Sequence, residues 1–285
     1  MAVVQSLQAA STALRRNPVV AGTVLVLSLL QLPVQFASLA GPSVSTAVGA
    51  ASSLAGLVVA PFVFGGLLGM AAEALDGTTG LGTFVEAGKR HYTSMLGAYL
   101  LLIGVLLVFW FVSGFLGIAA IAGIGILSGG PSGSSGPLFL AMFLVTTVVF
   151  LVGLFVPLFF VQFYGQAIIL DGESAISGFK RSVGLVRRNL ASVLGYSLFV
   201  LGTGLLFGLL GSVPSMLLSA QATQVPVSMS LPDPGLPATV ALTVVGNVVF
   251  GLLGGLFLVF SVAFYRTLDP AGSAESPSST QGAVA

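Results

Sequence analysis

The sequence predicts an all-α, polytopic integral membrane protein with six transmembrane helices, arranged as three parallel hairpin repeats with cytoplasmic interfacial helices. Hydrophobic residues make up 56% of the 285 residues and charged residues only 6%, whereas a soluble domain carries about 25% charged residues. The apolar residues fall into six long stretches, and the basic residues lie between alternate stretches. So few charges could not cover a water-exposed surface of this size, so most of the surface is expected to face lipid.

Six stretches reach the roughly 20 apolar residues that a helix needs to cross a bilayer. The strict alternation of apolar and polar residues that marks a transmembrane β-strand is absent. Residues 1–17 form a cytoplasmic amphipathic segment, residues 18–269 the membrane domain, and residues 270–285 a small, polar tail that is expected to be disordered. The predicted spans cover about 18–40, 47–72, 94–127, 138–170, 191–219 and 238–265.

The basic residues are confined to one set of the segments that connect the spans. The loops at 41–46, 128–137 and 220–237 contain neither Lys nor Arg. Because cytoplasmic loops carry an excess of Lys and Arg, this distribution predicts a multi-pass protein of the cell membrane with both termini in the cytoplasm. The basic clusters are Arg15–Arg16, Lys89–Arg90, Lys180–Arg181, Arg187–Arg188 and Arg266.

An alternative interpretation concerns the first 40 residues. Arg15 and Arg16, the apolar run after them and the stretch "ASLA" before Gly41 also fit a signal peptide with a small-residue cleavage site. Cleavage there would remove half of the first repeat, so we expect the segment to be retained.

A unit made of a basic segment, two spans and a short acidic turn occurs three times. The stretches "KRHYTSMLG" (89–97) and "RRNLASVLG" (187–195) share Ser, Leu and Gly at equal offsets, and "RRNPVVAG" (15–22) is a weaker third copy. Because each unit contains two spans, the copies share one orientation, which predicts parallel repeats related by an axis along the membrane normal. The three acidic turns are Leu75–Asp76–Gly77, Leu170–Asp171–Gly172 and Leu268–Asp269–Pro270.

The basic segments before spans one, three and five are predicted to be amphipathic helices in the membrane surface. Asp171 is the expected cap of the last of them, and its apolar stripe consists of Ile176, Phe179, Val183 and Val186. Basic side chains at a membrane surface attract anionic headgroups at about 1 kcal/mol each; the alternative is that these charges only set topology. The candidates for binding a lipid headgroup are Arg15, Arg16, Lys89, Arg90, Lys180, Arg181, Arg187 and Arg188.

Several amide side chains lie within the predicted spans, whose interiors contain no charged residue. The lack of intramembrane charge argues against an ion pump or a proton-coupled carrier. Intramembrane amides usually join helices through hydrogen bonds; the alternative is a polar lining for a headgroup pathway. The candidates are Gln31, Gln35, Gln162, Gln166 and Asn247.

Nothing in the sequence indicates catalysis. The chain has no cysteine, which excludes disulfides, thiolate catalysis and cysteine-based metal sites. His91 is the only histidine, and neither a nucleophile nor a pair of carboxylates is placed with it. We therefore expect a protein that is not an enzyme, with no cofactor, no metal and no nucleic-acid partner.

The stretch "FYGQAIILDGESAISGFKRSVGLVRRNLASVLG", residues 163–195, resembles a known family. It is similar to the core of uncharacterised prokaryotic six-span membrane proteins, haloarchaeal ones among them, that are related to the membrane domain of some glycerophosphodiester phosphodiesterases. The resemblance implies a bias toward lipid handling and brings no catalytic residue with it. The matching residues are Asp171, Gly172, Ala175, Lys180 or Arg181, Ser182, Leu185 to Arg187, Asn189 and Val193 to Gly195.

These observations favour one function and leave two alternatives. The favoured function is a non-enzymatic membrane protein that engages anionic lipid, or a membrane partner, through its cytoplasmic basic helices. The first alternative is a transporter, permease or lipid-translocating protein that uses a cleft between the hairpins. The second is a structural subunit of a membrane complex. The expected partners are membrane lipids and either another membrane protein or further copies of the chain.

Overall fold

The computed structural model describes residues 2–127, 136–223 and 235–268, and these residues are helical with no strand among them. The C-terminal tail predicted at 270–285 lies outside this part. Residues 37–40 form a single 3-10 turn between α3 and α4. The α-helices are α1 (Ala2–Arg16), α2 (Pro18–Leu29), α3 (Leu32–Phe36), α4 (Pro42–Asp76), α5 (Leu81–Arg90), α6 (Tyr92–Leu127), α7 (Gly136–Val161), α8 (Tyr164–Leu170), α9 (Ala175–Arg188), α10 (Leu190–Thr223) and α11 (Gly235–Leu268).

Within the described ranges, five helical segments are long and apolar enough to cross a membrane. A sixth is added if α9 and the start of α10, which meet at a bend of 105°, count as one span. An all-helical architecture is therefore confirmed for the described residues, with five to six candidate spans as a multi-pass membrane protein requires. The five segments are Pro18–Ala40, Pro42–Asp76, Tyr92–Ala119, Leu140–Leu170 and Gly235–Leu268.

Helix α11 lies at the centre of the bundle and packs against α1, α2, α4 and α10. Its interface with α2 is the most extensive one in the described part of the chain. Glycine permits this close approach, because a Cβ atom built at Gly251 would lie 2.7 Å from the Cα atom of Leu25. Small residues let membrane helices gain van der Waals contact that larger side chains would prevent. The first and last predicted spans are thus direct neighbours.

Aromatic side chains fill the core between α7, α8, α10 and α11. The Tyr196 ring stacks on Phe264 with 4.5 Å between ring centroids and on Phe260 with 5.3 Å. Phe163 lies 5.4 Å from Tyr196, and Phe163, Phe260 and Phe264 are fully or almost fully buried. Large aromatic side chains carry much of the packing energy of a core, so this cluster joins spans four, five and six.

The outer faces of α6 and α7 are strongly apolar and exposed. Phe111 is 78% exposed, and Phe115 and Val149 are 74% and 66% exposed. Soluble monomers rarely expose apolar patches of this extent. These faces are therefore suited to contact lipid chains, as expected of a membrane protein.

Two of the predicted spans are interrupted. Span one breaks between α2 and α3, where Gln31 precedes Leu32 and Pro33 at the start of the next helix. Span four breaks between α7 and α8 at Gln162 and Phe163. Backbone groups freed inside a membrane need new partners, and the second break has one in α9, as described below.

Candidate functional site

The three amphipathic helices α1, α5 and α9 each pack against the end of a long apolar segment. Helix α5 lies against α4, α9 against α8, and α1 against α11. Glycine brings α5 close to α4, because a Cβ atom at Gly66 would lie 2.6 Å from the carbonyl oxygen of Phe84 and one at Gly88 would lie 2.9 Å from that of Phe62. Each amphipathic helix thus rests on protein along one face.

The face of α9 that packs against protein coincides only in part with the predicted apolar stripe, from which Phe179 stacks on Tyr164 with 4.9 Å between ring centroids. Within that stripe only Val186 is fully buried, and Ile176 is 59% exposed. The buried face carries Gly178, Ser182, Leu185 and Val186. Helix α1 behaves similarly: Ser6, Ala10 and Ala13 are buried, whereas Val4 is 60% exposed. Small side chains therefore take part in the buried contacts of both helices, while Ile176 and Val4 face the surroundings.

Ser182 connects α9 to the break between α7 and α8. Its hydroxyl accepts a hydrogen bond from the Phe163 backbone N–H at 3.1 Å and donates one to the Phe160 carbonyl oxygen at 2.9 Å. Ser182 is fully buried. One side chain of the amphipathic helix therefore satisfies backbone groups that the broken span leaves without a helical partner.

Asn17 joins the junction of α1 and α2 to the end of α4. Its buried side-chain amide donates to the carbonyl oxygens of Ala74 at 3.2 Å and Gly77 at 2.8 Å, and also to that of Ala13 at 3.1 Å. Its side-chain oxygen accepts a hydrogen bond from the Thr79 backbone N–H at 2.9 Å. This one amide therefore connects the first basic segment to the first acidic turn.

Asn189 makes a related contact between the third basic segment and the end of α11. Its amide donates to the carbonyl oxygens of Leu185 at 3.1 Å and Leu268 at 3.4 Å. Asn17 and Asn189 both follow a pair of arginines in the sequence. Asn189 is among the residues that carry the family resemblance, and the repeated "RRN" was the available signal for Asn17.

The aspartates of two acidic turns form ion pairs between helices. Arg266 of α11 bonds Asp76 with distances of 2.6 and 2.9 Å, and its guanidinium also donates to the Ala72 carbonyl oxygen. Asp171 accepts a hydrogen bond from the Arg181 Nε atom at 2.9 Å and one from the Tyr265 hydroxyl at 2.5 Å. Both aspartates therefore help to attach α11 to its neighbours.

The prediction that Asp171 caps α9 is wrong. The helix begins at Ala175, and its cap is Ser174, which forms a capping box with Ser177. The Ser174 hydroxyl lies 2.8 Å from that of Ser177, which also accepts a hydrogen bond from the Ser174 backbone N–H at 2.9 Å. The carboxylate of Asp171 is instead held by Arg181, a stronger partner because it is charged.

The predicted headgroup candidates divide into paired and unpaired cations. Arg181 is bonded to Asp171 and Arg90 to Glu86, while the Arg187 guanidinium lies 6.0 Å from the centroid of the Phe160 ring, a cation–π distance. The remaining candidates are exposed and make no ion pair with the described residues: Arg15, Arg16, Lys89, Lys180 and Arg188.

His91 lies between α5 and α6, directly after one of the basic pairs. Partial burial and then the neighbouring Arg90 guanidinium lower the pKa of His91 below its usual value of 6.5. The imidazole is therefore neutral at pH 7 and adds no positive charge to this surface.

The intramembrane amides make hydrogen bonds that connect different helices. The Gln35 amide donates to the Asn247 side-chain oxygen at 3.1 Å, and Asn247 donates back at 3.3 Å, which joins α3 to α11. Gln162 exchanges hydrogen bonds with Ser197 of α10 at 3.2 Å. Gln166 of α8 donates to the Ser261 hydroxyl of α11 at 3.3 Å.

Two of these amides do not have all their hydrogen bonds satisfied by another helix. The side chain of Gln31 is exposed and forms none of the interhelical bonds of its neighbour Gln35. The Oε1 atom of Gln166 is buried and has no hydrogen-bond partner within the described residues. A buried acceptor without a partner costs free energy, so Gln166 is held there by the packing around it.

Comparisons with known proteins place the whole described chain in one family. No match was found among curated proteins or among solved structures. One family profile, described as "Domain of unknown function (DUF7847)", matches residues 1–268. The match includes α1 to α11, with every basic cluster and every intramembrane amide described above. The chain therefore belongs to the family of the domain of unknown function DUF7847.

Proposed function

We propose that this protein is a non-enzymatic membrane protein of the cell membrane that binds anionic lipid at its cytoplasmic surface through α1, α5 and α9. The observation that carries the proposal is the set of exposed cations without an acidic partner in the described ranges: Arg15, Arg16, Lys89, Lys180, Arg187 and Arg188. They belong to amphipathic helices or to the ends of those helices.

The acidic residues near these cations are largely engaged elsewhere. Asp76 and Asp171 bond Arg266 and Arg181, and Glu73 accepts hydrogen bonds from the hydroxyls of Thr79 and Thr83. Internal pairs therefore use much of the negative charge, and the exposed charge that remains is mainly positive. Each such cation contributes about 1 kcal/mol of attraction to an anionic leaflet.

We also propose that the three repeats close into a ring. The amphipathic helix of the second repeat, α5, packs on the end of the first hairpin, and α9 packs on the end of the second. Helix α1 packs on α11, the end of the third hairpin. This cyclic order supports three basic segments around one cytoplasmic surface, as parallel repeats about an axis normal to the membrane would arrange them.

The resemblance of residues 163–195 to proteins related to phosphodiesterase membrane domains is in keeping with a lipid-binding role. Transport or lipid translocation, and a structural role in a complex, are less favoured. The intramembrane amides bond to Ser197, Ser261 and to each other, which is the behaviour of residues that join helices.

The proposal is tested by the double substitution Arg187→Gln and Arg188→Gln. Loss of two cations at about 1 kcal/mol each should weaken anionic lipid retention about thirtyfold. The measurement is native mass spectrometry of protein reconstituted in vesicles of phosphatidylcholine and phosphatidylglycerol, with the retained lipids counted by headgroup.

The matched control is Arg187→Lys with Arg188→Lys, which keeps both charges and should keep the retained phosphatidylglycerol. If the glutamine variant retains as much phosphatidylglycerol as the wild type, these arginines act only as topology determinants and the proposal loses its basis.

A further inference from the structure

A cleft of about 340 Å³ lies between α6 and α7 and is covered at one end by α9. One face of each helix forms the walls, and every wall residue is apolar: Leu101, Leu102, Val105, Leu106 and Phe109 of α6, and Gly153, Leu154, Pro157, Leu158 and Val161 of α7. Phe179 and Lys180 of α9 lie at its end, and Lys180 is the one charged residue in the described lining. The cleft therefore combines a long apolar surface with a single cation.

The deep end of the cleft is closed by an aromatic contact. A Cβ atom at Gly153 would lie 2.9 Å from the Phe109 ring, so the ring occupies the space that a larger residue would take. The ring of Phe150 lies 5.2 Å from that of Phe109. From Leu101 to Phe109 the wall extends about 12 Å at the helical rise of 1.5 Å per residue.

The rim of the cleft is open to the surroundings. Val105 is 56% exposed, and Ile176 is 59% exposed. In a membrane such apolar side chains contact acyl chains, because no water is present to solvate a polar occupant. The natural occupant of the apolar part is therefore a hydrocarbon chain.

The charge at the end of the cleft selects the headgroup. Lys180 is exposed and makes no ion pair with the described residues, and a lysine ammonium binds phosphate as a point charge. It lies on α9, which the positive-inside rule assigns to the cytoplasmic side. An amphiphile with an apolar chain and an anionic head matches both parts of the cleft.

We propose that this cleft binds one anionic phospholipid, with an acyl chain between α6 and α7 and the phosphate at Lys180. The inference rests on the proposed function and deepens it, because it assigns one cation of the basic surface to a defined lipid site. Lys180 acts by charge, so Arg should replace it, whereas Gln should not.

The sole tryptophan of the chain offers a direct reporter. Trp110 is 58% exposed, and its ring lies 5.2 Å from that of Phe150 at the deep end of the cleft. Bromine atoms on a lipid chain quench tryptophan fluorescence on close approach. Vesicles of phosphatidylcholine with a minor fraction of brominated phosphatidylglycerol are compared with vesicles in which the same fraction is brominated phosphatidylcholine.

We expect brominated phosphatidylglycerol to quench Trp110 more strongly in the wild type, and Lys180→Gln to reduce this preference about fivefold. Lys180→Arg should preserve the preference. Val105→Phe narrows the cleft and should also reduce quenching, whereas Val108→Phe, at an exposed position of α6 outside the cleft, should not.

Equal quenching by the two lipids in the wild type would overturn the proposed site, and so would a preference that survives Lys180→Gln. In either case the proposed function is judged separately, by the loss of phosphatidylglycerol from the Arg187→Gln, Arg188→Gln variant in mass spectrometry. Loss in that variant together with an unaffected Lys180→Gln variant would retain the basic surface and reject the cleft.

Discussion

Gly251→Ala is expected to destabilise the folded protein by about 1–3 kcal/mol, the usual cost of forcing extra atoms into a packed interface. The new Cβ atom would lie 2.7 Å from the Cα atom of Leu25 and 2.6 Å from the Ser28 hydroxyl oxygen. Relief requires the backbones of α2 and α11 to separate along the most extensive interface described. The measurement is the unfolding midpoint in a titration of detergent-solubilised protein with a denaturing detergent.

Gly246→Ala provides the matched control on the same helix. Apart from the local backbone of α11 and the two chain neighbours, no described atom lies within 4 Å of a Cβ atom built at Gly246, and alanine is favoured over glycine within a helix by up to about 1 kcal/mol. This variant should be as stable as the wild type or slightly more stable. If Gly251→Ala and Gly246→Ala change the unfolding midpoint equally, the result would contradict the close approach of α2 and α11.

Asn17→Ala is expected to cost about 3 kcal/mol, because an unsatisfied buried hydrogen-bonding group costs about 1–3 kcal/mol. The substitution removes the partner of the Thr79 N–H and of the carbonyl oxygens of Ala74 and Gly77. Asn17 is only 3% exposed, so water has little access to replace these bonds. The same detergent titration measures the loss.

Asn189→Ala is the comparison for this effect. Asn189 is only partly buried, and within the described ranges its side chain makes one hydrogen bond outside α9, the 3.4 Å bond to the Leu268 carbonyl oxygen. We expect a cost of about 1 kcal/mol or less, the net worth of an ordinary hydrogen bond. A larger loss from Asn189→Ala than from Asn17→Ala would contradict the special role of Asn17.

The fold class could be predicted from the sequence because lipid imposes a strong constraint on composition. Runs of about 20 apolar residues have few structures available except a spanning helix. The predicted spans at 47–72 and 238–265 accordingly lie within single helices, Pro42–Asp76 and Gly235–Leu268. The break after Leu29 in span one was not visible in hydrophobicity, because residues on both sides of it are apolar.

The orientation of the amphipathic helices was harder to predict. Helical periodicity identified Phe179 and Val186 as one stripe of α9, but a hydrophobic stripe does not say whether protein or lipid covers it. The predicted stripe is divided, because Val186 is fully buried and Ile176 is 59% exposed, and Gly178 and Ser182 complete the protein-facing side. The role of Asp171 was missed for a related reason, since its partners Arg181 and Tyr265 are brought to it only by the tertiary fold.

The basic clusters could be read from the sequence, whereas their pairing could not. Arg181 and Lys180 are adjacent in the chain, yet among the residues that the structure describes only Arg181 is held by a carboxylate. Whether a basic side chain can contact a lipid headgroup depends on the direction in which it projects from its helix. The three-repeat ring and the anionic lipid site stay predictions that rest on such placements.

The most direct test of the central claim is an analysis of the lipids that stay bound to the protein in its own membrane. The protein is extracted in a polymer that keeps the surrounding lipid, and native mass spectrometry then identifies what remains attached after the loosely held lipid is removed. We predict retention of anionic phospholipid above its proportion in the bulk membrane. A bound population with the bulk composition, or another protein in place of lipid, would contradict the account.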